Sequence, residues 1–279
     1  VAQHVKGPAG RLLGLAITLD SHRGFADVVA SLGEGHGGTI GGTWGSASAL
    51  AVAALARARS ADAGTLVVVL PHAAEADDFI DDLRLFSDVP AVLLPAIESL
   101  GDEGAAGADP AEAERLAVVR ALTATDGVRP PLVVTSIQAL LTPLADPREI
   151  AAGTRRLAVG GHLDPEELAD WLGVRGWRLV DAIDAPGTFA RRGGIVDLFA
   201  ADWDRPIRIE LFGDEIESLR TFDTVTQRSV ATVEAAELTA LAATTDARHT
   251  HLAELLPPGS AWVLVEPGEV AEEAKRMHD

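Results

Sequence analysis

Gly42-Thr-Trp-Gly45-Ser-Ala47-Ser48-Ala49 stands where a phosphate could be held. A working phosphate loop reads Gly-x-x-x-x-Gly-Lys-[Ser/Thr] between a strand and a helix. Backbone N–H groups and the helix N-terminus cradle the phosphates, the lysine reaches the β- and γ-phosphates, and the hydroxyl binds Mg2+. Aligned from Gly42, the second glycine of that pattern falls on Ala47, the lysine on Ser48 and the hydroxyl residue on Ala49. The strand–turn–helix setting is expected to survive while the charged and metal-binding groups are gone. An anion could rest weakly at that helix N-terminus; a glycine-rich structural turn accounts for the same residues. The companion of such a loop is an apolar strand ending in Asp and then Glu. Val263-Leu-Val265-Glu266 has valine in the aspartate position, and Glu266 alone is a poor Mg2+ site.

A second constellation is Arg178, Arg191, Arg192, Arg208 and Glu210, with Phe199 nearby. Arg208 and Glu210 are two residues apart in an alternating segment and so share one face of a strand. Arginine presents a planar fork to carboxylates and is favoured at interface hot spots. The alternative is a solvated hairpin face whose internal Arg–Glu pairs are each worth little. Other chemistry is poorly represented. His249-Thr-His251 has strand-like ligand spacing without a cysteine beside it. Gly-x-Ser-x-Gly is absent. Aromatics make up 4% of the chain, too few for a base-stacking platform.

Two patterns must position these residues. Phe25, Val28, Val29 and Leu32 mark one helix face, closed by Gly33 and Gly35. An Ala/Leu-rich helix is expected over 46–59, a strand buried on both faces over 65–70, and a helix carrying Phe79, Ile80, Leu83 and Phe86. A short strand at 91–94, a glycine-rich loop at 101–110, a helix at 111–122 and a strand from Pro131 continue the alternation. Alternating buried strands and helices predict a parallel sheet with right-handed crossovers. Near Asp146 the pattern changes. Asp164 is the expected N-cap of a helix to Leu172, with Pro165 at its first position. From Trp177 the period becomes two, with hairpin turns such as Gly213-Asp214, which predicts a small α+β domain. The apolar run 261–266 is expected to return to the first sheet, making the second domain an insertion.

The bulk numbers bound the function. The 279 residues suit one large domain or two modest ones, and 47% hydrophobic content supports a substantial core. A formal net charge of −19 repels a phosphate backbone and disfavours broad nucleic-acid binding. The absence of cysteine excludes disulfides, thiolate metal sites and cysteine nucleophiles, and suits the cytoplasm. No apolar run approaches the roughly 20 residues of a membrane span. Residues 12–19 follow Lys6 and Arg11 but lack a clear cleavage site, so a buried segment is expected. The start at Val1 and the stop at Asp279 within a helical pattern suggest a piece of a longer protein.

The run Gly187-Thr-Phe-Ala-Arg-Arg-Gly-Gly-Ile-Val-Asp-Leu-Phe, then Pro206-Ile-Arg-Ile-Glu-Leu-Phe-Gly-Asp-Glu-Ile-Glu-Ser-Leu-Arg-Thr-Phe-Asp, then Thr226-Gln-Arg-Ser, resembles the UvrB homology module of the bacterial transcription-repair coupling factor (Mfd) family. Weaker likeness at Thr65-Leu-Val-Val-Val-Leu-Pro and Val133-Val-Thr-Ser-Ile-Gln-Ala-Leu extends it over most of the chain. The resemblance implies a degenerate RecA-like, helicase-type parallel α/β domain over 1–145, an inserted α+β domain like UvrB domain 2 over 146–234, and a return to the first domain over 235–279. It implies a non-catalytic adaptor that binds UvrA, the damage-recognition ATPase of nucleotide excision repair. RNA polymerase and DNA would be engaged through other domains. ATP and Mg2+ would belong to a separate translocase module, leaving this chain without a cofactor. The family's partner-contacting arginines fall on Arg178, Arg192 and Arg208, and its acidic contact on Glu210. An arginine common in UvrB falls on Ala190 here, with Arg191 its possible replacement. The alternative is a UvrB-like ATPase that tolerates the altered loop.

Overall fold

The structure is a computed structural model that describes residues 12–59, 63–97, 110–124, 129–241 and 248–278. The stretch 101–109, most of the expected glycine-rich loop, lies outside these residues, as do Lys6 and Arg11. The chain forms two compact units, one of residues 1–96, 120–143 and 251–279, the other of residues 97–119 and 144–250. No described helix is long and apolar enough to cross a membrane.

The first unit holds a four-stranded, wholly parallel sheet in the order Ala261–Leu264, Leu66–Leu70, Leu132–Ser136, Ala91–Leu94. Leu66–Leu70 is a central strand, and all five of its residues are buried. Leu66, Val68 and Leu70 pack with the helices Ser46–Ala58 and Ala73–Phe86, while Val67 and Val69 are equally buried on the other face. A continuous apolar run is what a strand covered on both sides requires. Phe79, Ile80, Leu83 and Phe86 form the inward stripe of their helix, as their spacing predicts. The Arg23–Gly33 helix follows a cap at His22, whose Nδ1 accepts from the Phe25 N–H at 3.3 Å.

The buried segment expected at 12–19 is instead the short helix Leu13–Thr18. Ala16 alone in it is buried, and Leu12, Leu15 and Ile17 are exposed. A helix of six residues can turn only a narrow stripe inward, so its apolar content exceeds what it can bury.

Gly64 sits where the Leu66–Leu70 strand begins beside its edge partner. A Cβ built there would lie 2.5 Å from the Ser260 backbone nitrogen and 2.8 Å from the Pro258 carbonyl oxygen. Both obstacles include backbone, so Gly64→Ala must shift a chain segment. Equilibrium urea unfolding should show a loss of about 1–3 kcal/mol; an unchanged midpoint would mean that the 258–260 turn yields freely.

The second unit is built on a six-stranded sheet. Its order is Ser229–Val233, Glu215–Phe222, Ile207–Phe212, Ile195–Phe199, Thr188–Arg192, Arg178–Leu179, antiparallel except for the last pair. Gly193-Gly194 and Gly213-Asp214 make tight turns, and Gly193 and Gly213 have φ of 57° and 63°, a region open to glycine. One face buries Phe189, Val196, Leu198, Ile207, Ile209 and Leu219 with Leu168 and Leu172 of the Pro165–Val174 helix and with Trp177. Thr154–Ala158 pairs antiparallel with Ala235–Thr239, and Leu144–Ala145 with His249–Thr250.

The Asp164 carboxylate caps that helix, accepting from the N–H groups of Glu166 at 2.8 Å and Glu167 at 3.2 Å. Those two bonds hold its pKa below the ordinary aspartate value. A folded pKa below the unfolded one means that the contribution is full above the ordinary value and fades as pH falls through the folded one. Asp164→Asn is therefore expected to flatten the acid limb of a stability–pH profile below about pH 4. Superimposable acid limbs for the two proteins would show that the cap is not titrating.

Candidate protein-binding face

The geometry of the phosphate-loop region limits its chemistry. The expected strand ahead of the loop is not there: residues 36–45 form no strand. Gly37, Gly38, Gly41, Gly42 and Gly45 leave this segment few side chains to bury in a sheet. Gly42 and Gly45 take φ of 79° and 53°, and Ser46–Ala58 follows directly. Two first-turn donors are already used locally, Ala47 N–H by the Trp44 carbonyl at 3.2 Å and Ser48 N–H by the Gly45 carbonyl at 3.0 Å. Ser46 Oγ donates to Asp82 Oδ2 at 2.6 Å. A helix N-terminus attracts one negative group, and here Asp82 supplies it. Ser48 and Ala49 are buried, while Ala47 and Trp44 are exposed. Glu266, after the edge strand, has φ of 50°, and its carbonyl accepts from Glu269 N–H at the start of the Pro267–His278 helix.

The arginine constellation divides by face. Cross-strand register places Arg192, Ile195, Glu210 and Ser218 in one row and Ala190, Asp197, Arg208 and Arg220 in the next. These rows lie on the face opposite the helix. Arg208 meets Asp197 through two hydrogen bonds, Nε to Oδ1 at 2.7 Å and a terminal nitrogen to Oδ2 at 2.8 Å. This paired geometry raises the Arg208 pKa, chiefly through the Asp197 hydrogen bond, with Glu210 adding to it. The guanidinium also lies over the Phe222 ring, 4.7 Å from its centre. Glu210 accepts from Ser218 Oγ at 2.6 Å and faces Arg220 at 3.4 Å. Arg192 is exposed and donates to the Asp181 carbonyl.

Arg191, one residue away, projects to the other face and pairs with Glu166 of the helix at 3.4 Å. The structure therefore separates Arg191 from Arg192, because successive strand residues alternate. Arg178 is exposed on the edge strand, in register with Thr188. Phe199 is half-buried and packs on Ile183, Ala190 and Phe222 beneath the arginine face. His249 and His251 are exposed, and no group of three potential metal ligands occurs among the described residues.

Two residues of this face escaped sequence reading. Asp197 is the partner of Arg208, because the pairing of Ile195–Phe199 with Ile207–Phe212 sets the two directly opposite each other, a register that spacing within one strand does not give. Phe212 continues the Arg208–Glu210 parity and is 80% exposed at the hairpin tip. An aromatic so open beside arginine and glutamate is the composition of an interface anchor.

Comparison with known proteins bears on the same residues. A family described as the UvrB interaction domain matches residues 156–243, which include the whole meander. The transcription-repair-coupling factor of Myxococcus xanthus is 35% identical over 247 residues, 83% of this chain and 20% of that protein. The Bacillus subtilis factor is 32% identical over 212 residues, 75% of this chain and 17% of the relative. That of Escherichia coli is 28% identical over 200 residues, 71% of this chain and 17% of the relative. The chain thus spans about a fifth of the length of the relatives it matches. With a UvrB interaction domain over the meander and this likeness over most of its length, the chain corresponds to the UvrB-homology module of the transcription-repair-coupling factors it resembles.

Proposed function

We propose that this chain is a non-catalytic adaptor module that binds UvrA and so brings nucleotide excision repair to transcription-blocking damage. The observation that carries the reading is the face with exposed Arg192 and Phe212 beside half-buried Glu210, within the residues matched by the UvrB interaction domain. Charged groups there give orientation and association rate, and the open aromatic supplies apolar contact. The parallel sheet is read as a degenerate RecA-like domain, interrupted by an insertion over 146–234. Contacts with RNA polymerase and DNA are assigned to further modules of the longer family proteins, with ATP hydrolysis assigned to a translocase module among them.

The loop at Gly42–Ser48 supports the non-catalytic part. It has no lysine, its helix N-terminus faces Asp82, and Ala49 offers no hydroxyl to Mg2+. Calorimetric titration of the chain with UvrA tests the proposal, and a saturable heat at near 1:1 stoichiometry per UvrA protomer is expected. No binding, together with Mg-ATP turnover by the chain, would replace the adaptor by a UvrB-like ATPase.

A further inference from the structure

Arg192 is exposed yet held. A terminal nitrogen of its guanidinium donates to the Asp181 carbonyl. Asp181 belongs to residues 180–187, which join Arg178–Leu179 to Thr188–Arg192. Within that segment Ile183 is buried against Ala190 and Phe222, below the arginine face. A second side chain grips the same segment from far along the chain. Gln227 Nε2 donates to the Ile183 carbonyl at 3.2 Å, across 44 positions of sequence, and to the Thr224 carbonyl at 2.7 Å. An amide nitrogen carries two hydrogens, and both are used here. Gln227 thus fixes the Ile183 carbonyl, and the carbonyl two residues earlier fixes Arg192.

The backbone of Gln227 is unusual. Its φ of 57° lies in the left-handed region, where glycine, asparagine and aspartate are the residues most readily found. The turn closes through other groups. Gln227 N–H donates to the Asp223 carbonyl at 2.8 Å, and Asp223 N–H to the Arg228 carbonyl at 3.0 Å. Asp223 Oδ1 accepts from the N–H groups of Val225 at 3.2 Å and Thr226 at 2.8 Å. An asparagine would build this turn with less strain. It would lose reach, because its amide is one methylene shorter and stops short of the Ile183 carbonyl. Backbone strain retained for a long-range side-chain contact points to a function for that contact.

We propose that Gln227 is a positioning residue for Arg192, acting through the 180–187 segment; this rests on the reading that Arg192 contacts UvrA. Arginine has five N–H donors in a rigid fork. One bond to Asp181 leaves the others for a carboxylate of the partner and orients them before it arrives. Immobilising a long side chain costs about 0.5–1.5 kcal/mol on binding, and a side chain already held avoids much of that cost.

Calorimetric titration of UvrA with the parent chain, Gln227→Asn, Arg192→Ala and the double variant tests this. Gln227→Asn is expected to weaken binding about three- to tenfold while its urea midpoint stays near the parent's. In the Arg192→Ala background the same change should alter Kd less than about twofold, since no guanidinium is left to position. A loss of equal size in both backgrounds overturns the proposal, because Gln227 would then touch UvrA itself or act through general stability. Binding by Gln227→Asn as tight as by the parent overturns it too, and leaves the adaptor reading standing. No binding by the parent chain removes the adaptor reading, and this proposal with it.

Discussion

Asp197→Ala is expected to destabilise the meander unit by about 2–3 kcal/mol. The Asp197 and Arg208 side chains are 12% and 22% exposed, which places the pair between a buried and a surface ion pair. Removing one partner of a fully buried pair costs about 3–5 kcal/mol, and an exposed pair contributes roughly 0–1 kcal/mol. Two further terms push the value upward. Arg208 lies directly opposite Arg220, and without Asp197 the two like charges face each other across the ladder. Arg208 must also remain over the apolar Phe222 ring without its paired acceptor. Urea unfolding followed by tryptophan fluorescence would read this unit, which holds Trp171, Trp177 and Trp203. A loss under about 0.5 kcal/mol would reduce the pair to a solvated surface contact.

The same geometry changes how binding experiments must be read. Arg208→Ala leaves the Asp197 carboxylate half of the pair with little solvent, so its stability loss should match that of Asp197→Ala. A fall in UvrA affinity after Arg208→Ala would therefore mix lost contact with lost structure. The double variant Asp197→Ala/Arg208→Ala should cost clearly less than the sum of the singles, because neither charge is left behind.

Much of the fold was legible because period and burial coincide. Leu66–Leu70 had to be a covered strand, since no polar residue gives it a wet face. Asp164-Pro165 announced a helix start through a side-chain acceptor and a residue without N–H. The glycine-rich turn at 39–43 and the helix after it were legible, but the strand expected ahead of them is missing, because the glycines leave such a strand little to pack. The candidate face was half legible. Alternation placed Arg208 with Glu210, but pairing across strands is not a property of spacing within one. Asp197 and Phe212 required the register of two hairpins and the exposure of a tip. Arg191 was grouped with Arg192 by proximity in sequence, which in a strand puts neighbours on opposite faces.

That alternation yields the second large effect. Arg192→Ala should weaken UvrA binding by about 1–3 kcal/mol, roughly 5- to 150-fold in Kd, while leaving the unfolding midpoint unchanged. Arg192 is exposed and its internal partner is a single backbone carbonyl, so the fold loses little when it is removed. Arg191→Ala should change affinity less than about threefold, because its guanidinium faces Glu166 on the helix side, where the exposed pair contributes little. Phe212→Ala, on the Arg192 side, should fall with Arg192→Ala, since an open aromatic becomes costly to remove only when a partner buries it. Three neighbouring substitutions thus assign the face: losses at Arg192 and Phe212 with Arg191 silent put UvrA on the side away from the helix. The opposite pattern, a loss at Arg191 alone, would move the contact to the Pro165–Val174 side and remove Arg192, Glu210 and Phe212 from the site.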